Sequence, residues 1–192
     1  MKKLMVLFFA FSITLSIAAQ HTNFGVKAGY NAASVEVSEG ADFDSKSGLH
    51  VGALAHIHIS EHFAVQPELV FSCQGGESGT SKLKLNYLNL PVLAQYMISN
   101  GFRLQTGPQL GFLLSASQTT GNIEVDLDES FKSVDFSWVF GAGYIFSSGI
   151  GIDARYNLGL SDISELNNYD VKNRVFQVGL FYQFHNYSNK KK

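Results

Sequence analysis

The stretch Leu49–Ile59, LHVGALAHIHI, decides how the chain is read. Leu49, Val51, Ala53, Ala55, Ile57 and Ile59 occupy the odd positions, and His50, Gly52, Leu54, His56 and His58 the even ones. A period of two is that of a β-strand, whose successive side chains leave opposite faces. One face here is apolar and the other mostly polar or glycine. The length suits a tilted strand crossing a bilayer, which takes about 9–11 residues.

The same alternation recurs seven times outside this stretch, at Phe24–Asn31, Phe63–Ser72, Tyr87–Tyr96, Phe102–Phe112, Asp135–Tyr144, Ile150–Gly159 and Phe176–Phe184. Short turns at Ser60–His62, Ser99–Gly101 and Ser147–Gly149 alternate with long polar loops near Glu36–Ser47, Gln74–Lys82, Ser115–Ser133 and Ser161–Asn173. Short turns on one rim and long loops on the other are the plan of an outer-membrane barrel. The expected fold is all-β, an eight-stranded antiparallel up-and-down transmembrane β-barrel. The even strand number places both termini at the short-turn, periplasmic rim.

Alternation alone also fits a soluble lipocalin-like barrel, whose apolar face points inward. Glycine placement favours the reverse. Gly25, Gly29, Gly52, Gly107, Gly111, Gly141, Gly143, Gly151, Gly159 and Gly179 crowd the polar face, as a cramped interior requires. Tyr30, Phe63, Phe71, Tyr96, Phe102, Phe112, Tyr144, Tyr156 and Tyr182 sit on the apolar face near strand ends, where aromatic girdles lie. The interior then receives Lys27, Glu68, Arg103, Asp153 and Arg155 among Gln66, Gln95, Gln105, Gln109, Asn157 and Gln177. Charges in such a place must be paired, so Glu68 or Asp153 with Arg103 or Arg155 is the expected network. Eight strands leave room for side chains to fill the lumen, which favours a plug over a conducting path.

The ends of the chain read differently. Lys2 and Lys3, an apolar run from Leu4 to Ile17, then Ala18 and Ala19 have the three parts of a cleaved signal peptide. The expected division is a signal peptide at 1–19 with cleavage between Ala18 and Gln20, a barrel at 20–185, and a polar basic tail at 186–192. The 192 residues are 45% hydrophobic, 16% charged and 13% aromatic, with a net charge of −2. Five of the lysines lie at the extremes, leaving nine basic against sixteen acidic residues between them. Nothing there suggests nucleic acid as a partner. The single cysteine, Cys73, excludes an intramolecular disulfide and any CxxC site.

Several chemical readings compete with bland ones. His56 and His58 share one face about 7 Å apart along the strand, with His50 further along it. Lumenal hydrogen bonding is the preferred reading over a metal site, because no second ligand cluster accompanies them. Glu124, Asp126, Asp128 and Glu129 form an acidic cluster in the longest loop, without the spacing of a calcium loop. No GxSxG elbow, phosphate loop or dinucleotide fingerprint appears. No catalytic, metal or cofactor residues are therefore assigned, and a non-enzymatic protein is expected.

GVKAGYNAAS (25–34), PELVFSCQGG (67–76), LNYLNLPVLAQY (85–96), GPQLGFLLSA (107–116), VFGAGYIFSSGIGIDARYNLGLSDI (139–163) and VFQVGLFYQF (175–184) stand in order. Together they resemble the outer-membrane β-barrel domain family common in Bacteroidetes, described as porin-family or PorT-like proteins. The resemblance implies an integral protein of the outer membrane of a Gram-negative cell, in contact with outer-membrane lipid and lipopolysaccharide, and no particular activity. The alternatives it leaves are a small-solute porin and a PorT-like component of a secretion or assembly machine with a surface or machinery partner. The residues after Phe184 depart from barrels that end on their aromatic residue.

Overall fold

A computed structural model describes residues 22–37, 44–98, 100–121, 123–165 and 170–184. The expected signal peptide and basic tail lie outside them. Nine strands follow one another: β1 (Thr22–Val37), β2 (Asp44–His58), β3 (Phe63–Ser78), β4 (Ser81–Met97), β5 (Phe102–Thr120), β6 (Ile123–Asp126), β7 (Val134–Ile145), β8 (Ile150–Gly159) and β9 (Val171–Gln183). Eight of them form a closed antiparallel ring in the order β1-β2-β3-β4-β5-β7-β8-β9, with β9 returning to β1 through pairs such as Gly29↔Gly179. Ring closure leaves no unpaired edge in the wall, the condition for a sheet in lipid. No described helix is long and apolar enough to cross a membrane.

The expected apolar face points outward. Phe24, Val26, Leu69, Leu104, Ile152 and Leu180 are exposed, while the buried partners on alternate positions are Lys27, Glu68, Arg103, Asp153 and Arg155. Aromatic pairs gather at the short-turn rim, where Phe63 meets Tyr96, Tyr144 meets Phe146 and Tyr182 meets Phe184 at centroid distances of 5.0–5.3 Å.

The loop rim differs from the sequence reading. Gln74–Lys82 is not a loop: β3 and β4 continue through it and join by a two-residue turn, Gly79–Thr80, with Ser78 opposite Ser81. Gly79 has φ +58° there, which glycine adopts without steric cost. Much of Glu36–Ser47 and Ser115–Ser133 is also strand, including the short β6 hairpin on β5. The physical reason is an exchange of faces. Along β4 the outward residues run Lys82, Lys84, Asn86 and then Leu88, Leu90, Val92; the inward ones run Leu83, Leu85, Tyr87 and then Asn89. Above that level the wall stands in water and buries its apolar side inward, so the apolar phase inverts. A bulge at Leu114, where Asn86 faces Ser115 and Tyr87 faces Leu113, shifts β5 by one residue and turns Ala116 inward.

Candidate functional site

The interior is built in layers. Midway along the wall, Lys27 of β1, Glu68 of β3, and Asp153 and Arg155 of β8 converge. The Arg155 guanidinium donates to both Glu68 oxygens, Nη1 to Oε2 at 2.7 Å and Nη2 to Oε1 at 2.8 Å. Strands β3 and β8 are diametrically opposed in the ring, so this fork spans the lumen. Lys27 Nζ donates to Asp153 Oδ2 at 3.1 Å and stands 3.5 Å from Glu68 Oε2. Arg155 Nε lies 2.7 Å from Asp153 Oδ2, yet this nitrogen has no aligned hydrogen bond, so the contact is coulombic. Gln66 Nε2 adds a donor to Glu68 Oε1 at 2.6 Å. Buried ions are tolerated when they are paired and their remaining lone pairs are satisfied, and Glu68 meets both conditions.

Of the five charged residues expected inside, four share this network and one does not. Arg103 is buried, but among the described residues no carboxylate oxygen lies within 4 Å of it. Its Nη1 reaches Gln95 Oε1 at 3.5 Å, and its guanidinium carbon lies 5.3 Å from the centre of the Phe181 ring. That ring packs over Gly151, where any Cβ would collide with it.

Above the charged layer is an amide and imidazole layer. His50 Nδ1 donates to Asn31 Oδ1 at 2.8 Å, Gln177 donates to the same oxygen at 2.9 Å, and Asn31 Nδ2 donates to Ser72 Oγ at 2.9 Å. Higher still, Asp135 accepts from Asn173 at 2.9 Å and from Ser161 at 2.8 Å. The mouth is closed by Val35, Leu83, Leu85, Tyr87, Ala116 and Ile163, flanked by Leu127 and Phe131. Sequence reasoning missed this apolar cap because its strands looked like loop. The Leu83, Leu85, Tyr87 alternation against Lys82, Lys84, Asn86 was the available signal.

The other candidates separate. His56 Nδ1 bonds Gln66 Oε1 at 3.2 Å inside the lumen. His58, expected to face inward with it, is exposed at the short-turn rim, its ring edge-on to His56 at 4.5 Å. Among the described residues no group of three or more His, Cys, Asp or Glu stands close enough to hold a metal ion. The acidic cluster is divided between local tasks. Asp126 Oδ1 accepts the Asp128 N–H at 2.9 Å and Asp128 Oδ1 accepts the Ala116 N–H at 2.5 Å. Glu124 accepts from Ser117 at 3.0 Å, and that hydroxyl together with Lys84 lowers its pKa. Asp162, in the loop after β8, resists the cost of burial through Lys132 and the N–H groups of Val171 and Ser164, and its pKa is lowered.

The closed ring, the outward apolar band and the filled polar interior coincide with a family match. The model of the outer membrane protein β-barrel domain fits residues 18–165. The chain belongs to that family. It is an outer-membrane β-barrel protein, and the cell outer membrane is its location. No curated protein matches it in sequence. Solved structures share the barrel's fold. Neisserial surface protein A is 16% identical at a TM-score of 0.62, over 84% of this chain and 97% of that one. The attachment invasion locus protein Ail of Yersinia pestis is 18% identical at 0.52, over 85% and 99%. OprG from Pseudomonas aeruginosa is 15% identical at 0.50, over 86% and 97%.

Proposed function

We propose that this outer-membrane barrel is a non-enzymatic scaffold with a sealed lumen. The observation that carries the reading is the Arg155–Glu68 fork, which joins opposite walls in the middle of the barrel. The apolar cap at the loop rim is a second closure in series with it. In planar bilayers the refolded protein is expected to give no discrete conductance steps. Regular steps from the wild type would replace this reading with the small-solute porin. Incubation with outer-membrane lipids is expected to release no fatty acid, and acyl release by purified protein would make it an enzyme.

The outer wall is where partners are met. Lys82 and Lys84 face outward just above the apolar band and are exposed, at the level of anionic lipopolysaccharide groups. Glu124 beside Lys84 is exposed and Glu77 beside Lys82 is partly exposed, and pairs this open to water contribute little stability, leaving both lysines available to lipid. A PorT-like role in secretion or assembly rests on family resemblance alone, since the segments at 25–34, 67–76, 85–96, 107–116, 139–163 and 175–184 are features of the whole family. Co-purification from native membranes tests it, and the absence of any stable partner counts against it.

A further inference from the structure

The short-turn end of the lumen holds a cavity of about 650 Å³. Its walls include Asn23, His56, Asn100, Arg103 and Gln183, and its rim carries Phe102, Tyr144 and Phe146. No carboxylate occurs among its described lining residues. Pockets of about 300–1,000 Å³ with apolar walls and a few convergent polar groups are the size and character of small-molecule sites.

Beside Glu68 and Asp153, the third buried carboxylate, Asp135, is held by Asn173 and Ser161 near the loop rim, so charge is unbalanced locally, at the charged layer. Lys27, Arg103 and Arg155 face only Glu68 and Asp153 at the charged layer, and both carboxylates are engaged by Lys27 and Arg155. The excess cation is Arg103, only 5% exposed. Its Nε is buried with no acceptor, and so is Gln183 Nε2 on another part of the cavity wall. A guanidinium withdrawn from water with no carboxylate within ion-pair distance, only the field of the more distant Asp153, is a costly arrangement. Phe181 supports it through one ring face, an interaction that leaves its in-plane N–H edges for a ligand. Arg103 and Gln183 line a pocket without carboxylates and each keeps a donor with no acceptor behind that surface, which matches a ligand that only accepts. A deprotonated oxyanion has that property.

We propose that this vestibule binds a small organic oxyanion, a carboxylate or phosphate monoester, with its head on Arg103 and its apolar body against the aromatic rim. The sealed lumen above it would make this a dead-end receptor site open to the periplasm. The inference does not depend on that seal, since binding and conductance are separate measurements.

The test uses the full chain refolded in detergent, with benzoate and phenyl phosphate as probes followed by calorimetry. Heat-modifiable electrophoretic mobility verifies that each variant is folded. The wild type is expected to bind at least one probe saturably and to ignore benzylamine. Arg103→Gln is expected to weaken binding at least tenfold, and Lys172→Gln, at the opposite rim of the barrel, to leave it unchanged. If Arg103→Gln fails to fold, Gln183→Glu decides, because a resident carboxylate at that wall should exclude the probe. Competition by a short-chain phosphatidylglycerol would assign the head to a lipid, and its failure to compete would assign a free solute. Absence of binding by either probe, or equal binding by the wild type and the folded variant, overturns the proposal.

Discussion

Glu68 accepts from Arg155 through both oxygens and from Gln66 through one, with Lys27 at 3.5 Å. Replacing it with alanine strands buried cations, a class of change that costs about 3–5 kcal/mol. Glu68→Ala should therefore lower the urea midpoint of unfolding, followed by the fluorescence of Trp138, the single tryptophan. Removing both ends with Glu68→Met and Arg155→Met should cost less than the two single changes together. Strict additivity would show that the fork carries no coupling. Gly151→Val is expected to displace Phe181, because the added Cβ meets its ring. The position of Arg103 then shifts too, visible as a changed Arg103 side-chain Nε resonance, and an unmoved resonance would refute the coupling. The sequence phase alone put Lys27, Glu68, Arg103, Asp153 and Arg155 on one face. It could not show that Arg103 stands apart, since the partner of an inward residue depends on which strands face each other across the ring.

At the scale of elements, the apolar–polar alternation was readable wherever one face met lipid, and unreadable where β3, β4 and β5 rise above it. Leu83 and Leu85 are apolar and inward, the opposite of Leu88 and Leu90 on the same strand. A reader following a single apolar face loses the strand at that crossing. Leu85 is fully buried in the cap, so Leu85→Ala should destabilise it by about 2–5 kcal/mol, with Lys84→Ala close to neutral as the outward control. Proteolytic cutting at the loop rim would report the difference. The loop after β8 is held to the loop after β6 by Lys132 and Asp162 at 2.5 Å. Because the Asp162 pKa is lowered in the folded state, its contribution is present above the ordinary aspartate range, near 4. It is lost as pH falls through the lower folded value. Protease sensitivity of this loop should rise below about pH 4 in the wild type. Asp162→Asn should be equally sensitive at pH 7 and pH 3, and a wild type unaffected by acid would sink the assignment.

For the whole molecule, closure depends on two barriers of different chemistry placed in series. The Arg155–Glu68 fork blocks the middle through charge and hydrogen bonds, while Leu83, Leu85 and Tyr87 block the mouth through apolar packing. An eight-stranded ring is narrow enough that side chains alone decide whether water passes. Opening one barrier leaves the other intact, so Glu68→Ala with Arg155→Ala should remain non-conducting in planar bilayers despite lower stability. Leu85→Ala with Tyr87→Ala should likewise remain closed. Only the fourfold combination should give discrete steps, provided that heat-modifiable mobility shows a folded barrel. Steps from the fork variant alone would mean that the cap does not seal the mouth. Silence from a folded fourfold variant would place the seal in the Asn31, His50, Ser72 and Gln177 layer between them.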